Sequence, residues 1–130
     1  MQTAPVRDLQ QARESGSGNF PSFDHKQGDP VEAAIHLEPK RQIVLIEGNY
    51  LLLDHAPWSE LKQGVFDETW FLDVDLAECR RRVTQRHIET GLRRSEAEER
   101  VAQNDGPNGE LIQNTSLHAA DHIIRLEIAI

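Results

Sequence analysis

Residues 43–48 read Ile-Val-Leu-Ile-Glu-Gly, and no other stretch constrains the fold of this chain as tightly. An apolar run without polar alternation is the pattern of a strand covered on both faces, as in a parallel sheet. This run ends abruptly in a carboxylate and a glycine. Open α/β sheets present charged groups to a ligand crevice at the C-terminal ends of their strands. The expectation is a core strand over 42–47 with Glu47 at its tip. Gly48 would let a backbone approach a ligand closely.

The remaining segments alternate between strand and helix signals. Thr69 to Val74 reads as a second buried strand and His122 to Leu126 as a last one. Helices are expected near 76–90, 95–103 and 107–117. Asp75 is a candidate cap for the first, with Glu78 completing a box, and Gly91 stops it. Ser95-Glu96-Ala97-Glu98 reads as a second box, and Pro107 fits the first turn of the third helix, after a turn over Asn104–Gly109. Upstream, Val6 to Glu14 suits a short helix broken by residues 15–19. Residues 20–30 carry two prolines and read as a loop. Val31 to Leu37 suits a short strand, and 55–63 a short helical stretch. Such alternation argues for an α/β fold with a mostly parallel sheet. Three fully apolar strands are few for such a sheet.

The chain has 130 residues, room for a single domain over 1–130 with a modest core. Its 22 acidic and 14 basic residues give a net charge of −8, which disfavours nucleic acid and anionic membranes as partners. No apolar stretch reaches transmembrane length, and the N-terminus has no apolar core of signal-peptide type. The single cysteine, Cys79, rules out an internal disulfide and a cysteine metal cluster, and fits a reducing compartment.

Three places carry candidate chemistry. Glu47 suits holding Mg²⁺ through water or orienting a substrate group; its structural alternative is a turn carboxylate at a strand end. Arg80, Arg81, Arg82 and Arg86 crowd one predicted helix, and Arg82 and Arg86, four apart, share a face. They suit phosphate gripping, or else a solvated face paired with Glu78 and Glu89. Asp24 and His25, in the loop Phe20–His25, suit recognition of a small hydroxylated molecule, or else Asp24 caps its own backbone. His118 and His122 have metal spacing, but they straddle a helix-to-strand junction. His36, His55 and His87 have no such partner and read as structural or surface. Trp58 and Trp70 read as packing residues.

Six stretches occur in an order that carries a resemblance: Phe20–Glu32, Val44–Leu53, Pro57-Trp58, Phe66–Asp75, Arg81–His87 and Asn104–Gly109. Together they resemble the uridine kinase/phosphoribulokinase/pantothenate kinase superfamily of P-loop kinases. The similarity is greatest to the branch of fructose-transport-associated kinases and fungal uridine-kinase-like proteins. The resemblance implies a P-loop NTPase-like parallel sheet with flanking helices and a cytoplasmic phosphotransferase. It also implies ATP and Mg²⁺ as cofactors and a small hydroxylated acceptor. It puts an acceptor loop at 20–37, a core strand at 42–47 and a lid at about 76–103. Glu47 matches the carboxylate near Mg²⁺ and the acceptor. Asp24, His25 and Tyr50 fall on the acceptor side, and Arg82 and Arg86 fall in the lid helix that contacts the phosphates. Asn104 and Asn108 lie in a motif after the lid, without an assigned chemical role.

The departures are as informative. The family's Gly-x-x-x-x-Gly-Lys-Ser/Thr loop has no counterpart. The lysines are Lys26, Lys40 and Lys62, and none follows a glycine. Gly16-Ser17-Gly18-Asn19 lacks both the lysine and a preceding apolar strand. The acidic general base is missing, and Gln85 and Leu92 stand where arginines are common. The expectation is an incomplete P-loop fold, a fragment without its P-loop strand and helix, inactive alone. The alternative is a catalytically dead interaction or regulatory module. In the family the P-loop strand lies between the strands at 42–47 and 68–74. A gap is expected there, with unpaired edges open to self-association.

Overall fold

The computed structural model describes residues 4–23 and 30–125. Packing divides the chain into two compact units, one of Met1–Leu51 and His55–Asp67, the other of Leu52–Asp54 and Glu68–Ile130.

In the first unit, Val6, Leu9 and Ala12 recur every third residue, so helix α1 (Ala4–Ser15) buries one face. The helix ends where Gly16 takes φ +73°, a left-handed conformation open to glycine, and donates its N–H to the Ala12 carbonyl at 2.9 Å. α1 packs on strand β1 (Gly18–Phe23) and on helix α2 (Ser59–Gly64), whose Leu61 is fully buried. Gln10 reaches Glu60 at 3.2 Å, and Arg13 grips both carboxylate oxygens of Asp67 at 2.9 and 2.5 Å.

β1 pairs antiparallel with β2 (Pro30–Leu37), from Gly18 opposite Leu37 to Phe23 opposite Pro30. The expected loop over 20–30 is thus corrected at its start, since residues 20–23 are in a ladder. The prolines do not prevent this. Pro21 sits at the register shift between Phe20 and Ser22, and Pro30 opens its strand; both are places where a missing N–H is tolerated.

The core strand expected over 42–47 does not form. No strand is assigned there, and residues 42–47 make no backbone hydrogen bond among the described residues. Ile43, Val44 and Leu45 are 89%, 50% and 95% exposed. Strand propensity is present, but a ladder needs a second strand to receive its N–H and C=O groups. None of the described residues supplies one.

In the second unit, β3 (Trp70–Asp73) and β4 (His122–Arg125) pair in parallel, with Trp70 opposite His122 and Asp73 opposite Arg125. Between them run α3 (Leu76–Glu89), α4 (Arg94–Arg100), a π-helical turn (Val101–Asp105) and α5 (Gly106–Ser116). Helices therefore stand where the sequence predicts them, and two of the three expected parallel strands are present. Asp75 caps α3, its carboxylate accepting from the N–H groups of Ala77 and Glu78 at 2.9 and 3.2 Å. Glu78 does not close the expected box, because its carboxylate is held by arginines. The second box slips two residues back: Arg93 occupies the N-cap position of α4, and its backbone N–H donates to the Glu96 carboxylate at 3.1 Å. The expected turn at Asn104–Gly109 is also corrected, since α4 runs through the π turn directly into α5. α3 ends at Gly91, φ +109°, with the Leu92 N–H reaching the His87 carbonyl at 3.0 Å.

A reciprocal clasp starts the parallel pair. The Asp121 carboxylate accepts from the Thr69 N–H at 2.9 Å and from its hydroxyl at 2.6 Å. The N–H groups of Asp121 and His122 both donate to the Thr69 carbonyl at 3.0 Å. Thr69 is buried, so loss of the carboxylate strands its donors. Asp121→Ala is expected to lower the stability of this unit by ~1–3 kcal/mol. Amide exchange at Phe71 and Ile123 should accelerate accordingly, and Thr69→Val in the same background should add little.

Candidate phosphate-binding lid and acceptor site

Helix α3 carries Arg80, Arg81, Arg82 and Arg86, and the structure sorts them by partner. Glu78 sits three and four residues before Arg81 and Arg82, so one carboxylate meets both. Arg81 donates through Nε and Nη2, and Arg82 through Nε, each at 2.7 Å. These bonds hold the Glu78 carboxyl at a pKa of about 2. Arg80 is tied to Glu110 of α5, Arg93 to Glu96, and Arg94 to Glu98 at 3.6 Å. On α3, Arg86 alone lacks an ion pair among the described residues, and it is exposed. Arg82 gives Glu78 only its Nε–H and keeps its terminal nitrogens.

The residue after Arg86 is anchored. His87, 14% exposed, puts Nε2 at 2.9 Å from a carboxylate oxygen of Asp105, the last residue of the π turn. Sequence spacing gives His87 no partner. Eighteen residues separate the two groups, and only the packing of α3 against the π turn joins them. No short-range signal marks the pair. Gly106 follows, where an added Cβ would lie 3.0 Å from the Val101 carbonyl and 3.3 Å from Arg80 Nε. The glycine thus lets α3 and α5 approach. A cavity of about 30 Å³ beside it, lined by Leu76, Cys79, Val83 and Gly109, has room for a water. Burial there raises the Cys79 thiol above its ordinary pKa.

The acceptor-side candidates belong to other segments of the chain. Asp24 and His25 lie outside the described residues. Glu47 is exposed at the end of the unpaired run, in the first unit. Tyr50 is half-buried in that unit, its ring 6.1 Å from Trp58 and tilted by 49°. Arg82 and Arg86 belong to the second unit.

The described residues do not bring together a complete Mg²⁺–ATP site. Among the described residues no three His, Cys, Asp or Glu side chains converge as a metal cluster. Most of the guanidinium charge on α3 is already committed to carboxylates. No step through ATP or Mg²⁺ is therefore assigned to these residues. No helix among the described residues is long and apolar enough to cross a membrane.

No protein-family model matches the chain. Known proteins do. A candidate uridine kinase of Schizosaccharomyces pombe is 46% identical over 87 residues, 65% of this chain and 37% of that protein. The ATP-dependent kinase-like protein notR' of Aspergillus versicolor is 35% identical over 75% of this chain and 57% of its own length. A solved structure, a candidate fructose transport system kinase from Silicibacter sp. TM1040, superposes with TM-score 0.83 at 29% identity. The superposition covers 93% of this chain and 58% of that one. In sequence and in fold, the chain belongs with the P-loop kinases of the uridine kinase-like group. It spans about half the length of the relatives it matches. Among the described residues, helix α3 thus carries one guanidinium outside any ion pair and three in ion pairs with carboxylates.

The depressed pKa of Glu78 has a definite pH signature. A group whose folded pKa lies below its unfolded value stabilises the fold above the unfolded value, near 4.5 here. That contribution is lost as pH falls through about 2. The Glu78 carboxyl carbon, followed by NMR, should titrate well below 4.5, and Arg81→Ala with Arg82→Ala should return its midpoint toward 4.5.

Proposed function

We propose that this chain supplies the acceptor side and the lid of an ATP-dependent small-molecule kinase. The completed enzyme would move the γ-phosphoryl group of ATP to a hydroxyl of a small acceptor such as a nucleoside or a sugar. The carrying observation is the superposition of 93% of the chain on a kinase at TM-score 0.83. The S. pombe relative, a candidate uridine kinase, and the ATP-dependent kinase-like protein of A. versicolor add support.

In this proposal Arg86 is the lid's phosphate contact, because among the described residues it is the guanidinium on α3 with no carboxylate to give up first. Arg82 assists through its terminal nitrogens. Asp24, His25 and Tyr50 hold the acceptor. Glu47 orients it, and faces Mg²⁺ through water where the completed fold supplies the other ligands. An ATP donor fits a cytoplasmic location. The 130 residues alone are inactive in this reading, since they lack the backbone amides and lysine that cradle the phosphates. Losing such donors costs about 3–4 kcal/mol each at a transferring group.

A catalytically dead interaction or regulatory module is the second reading. The committed arginine charge on α3 and the exposed run at 43–45 favour it.

A coupled ADP-release assay over nucleosides, sugars and pantothenate distinguishes these. The isolated chain should show no turnover, whereas kinase rates of about 1–100 s⁻¹ would refute the proposal of inactivity. Joined to the portion of the S. pombe relative that this chain does not match, it should turn over one of these acceptors. In that joined enzyme Arg86→Ala should cost on the order of 10²-fold or more in kcat, and Arg94→Ala little.

A further inference from the structure

The helical run from α4 into α5 carries one residue more than a regular α-helix would. Ala97 and Val101, four apart, are both buried, and the next buried position is Gly106, five further on. The Gly106 N–H correspondingly donates to the Val101 carbonyl, five residues back. Such π turns are rare and recur at functional sites. Here the extra residue has a definite effect. With a regular step of four, position 105 would take the buried place. The π turn gives that place to a glycine and leaves Asp105 beside it, half-buried, where its carboxylate meets His87 Nε2 at 2.9 Å. His87 follows Arg86 in the last turn of α3. That turn is tied within itself. The Arg86 carbonyl accepts from the Thr90 N–H at 3.0 Å and from the Thr90 hydroxyl at 3.1 Å. The His87 carbonyl accepts from the Leu92 N–H and from the same hydroxyl, both at 3.0 Å. Helix ends fray unless other groups hold them. Among the described residues, the bond from His87 to Asp105 is the side-chain hydrogen bond of residues 85–92 that reaches another element.

We infer that His87 and Asp105 are positioning residues for Arg86: their clasp fixes the last turn of α3, so that the Arg86 guanidinium meets a phosphate group from a fixed backbone. The inference rests on the proposed kinase function for the phosphate, and on the π turn, the clasp and the unpaired Arg86 for the geometry. The Asp105 carboxylate accepts, so His87 carries a hydrogen on Nε2. Arg86 is exposed and its side chain keeps its rotamer freedom. What the clasp removes is motion of the backbone that carries it. Placement matters because a shift of about 1 Å in a positioned group can cost ~10²-fold in rate.

In the test, His87→Ala removes the clasp and His87→Gln returns an amide N–H near the place of Nε2. Gln103→Ala is the control, since Gln103 lies in the same π turn and bonds Glu99 at 2.9 Å. In the 130-residue chain, His87→Ala should speed amide exchange at Thr90 and Leu92 by about tenfold, and the other two by less than about threefold. With inorganic tripolyphosphate as the probe, binding read at the Arg86 Nε–H signal should weaken about threefold or more in His87→Ala and recover in His87→Gln. In the joined enzyme, His87→Ala should lower kcat about tenfold or more with the acceptor KM little changed. It should add nothing once Arg86 is replaced by alanine. Several results overturn the inference: Thr90 and Leu92 amides unmoved by His87→Ala, tripolyphosphate binding at Arg86 indifferent to His87, or kcat losses from His87→Ala and Arg86→Ala that simply multiply. Equal effects from Gln103→Ala do so as well, because they would belong to the stability of the π turn. A joined enzyme without turnover, beside an intact dependence of tripolyphosphate binding on His87, removes the kinase function and leaves the positioning pair standing. Turnover with multiplying losses does the reverse.

Discussion

The second unit depends on one carboxylate. Asp121 takes the N–H and hydroxyl of Thr69, while the Thr69 carbonyl takes the N–H groups of Asp121 and His122. Two strands 52 residues apart are thereby brought into register at their first pair. A parallel ladder has no tight turn to set its alignment, so a side-chain clasp at its start does that task. From it follow the pairing of Trp70 with His122 and of Asp73 with Arg125, and the positions from which α3 departs and α5 returns.

Electrostatics then decides what helix α3 can offer. Four arginines on one helix suggest an open cationic surface. Local geometry cancels most of it, because Glu78 lies within reach of two guanidinium groups and Glu110 takes a third. Such exposed pairs add little stability. Their larger effect is on availability, since they leave Arg86 as the open cation of α3 among the described residues. Next to it, His87 is held by Asp105, so the turn that carries Arg86 is fixed to the π-helical segment.

Much of this is legible in the chain itself. The caps, glycine stops and apolar periodicity locate α1, α3, α4 and α5, and the apolar runs locate β3 and β4. The order of the six motifs points by itself to the P-loop kinases. Less legible are features that need two distant segments. β1 is hidden because the prolines at 21 and 30 suggest a loop, and only pairing with β2 shows that both sit where no N–H is required. The His87–Asp105 pair is invisible because a π turn places it. Arg82 and Arg86 are equivalent by spacing, and only the partners of Glu78 separate them.

The run at 42–47 marks the boundary between the two kinds of information. Its sequence determines by itself that these residues prefer an extended, buried strand and that a carboxylate ends it, because both follow from side-chain chemistry and order. Whether a strand exists there is decided only in three dimensions. β3 is a strand because β4 lies alongside and completes a ladder, which needs a neighbouring backbone about 4.8 Å away. Ile43 to Ile46, with equal or greater propensity, form none, because no backbone among the described residues accepts their hydrogen bonds. Propensity belongs to the residue, but a strand is a property of a pair.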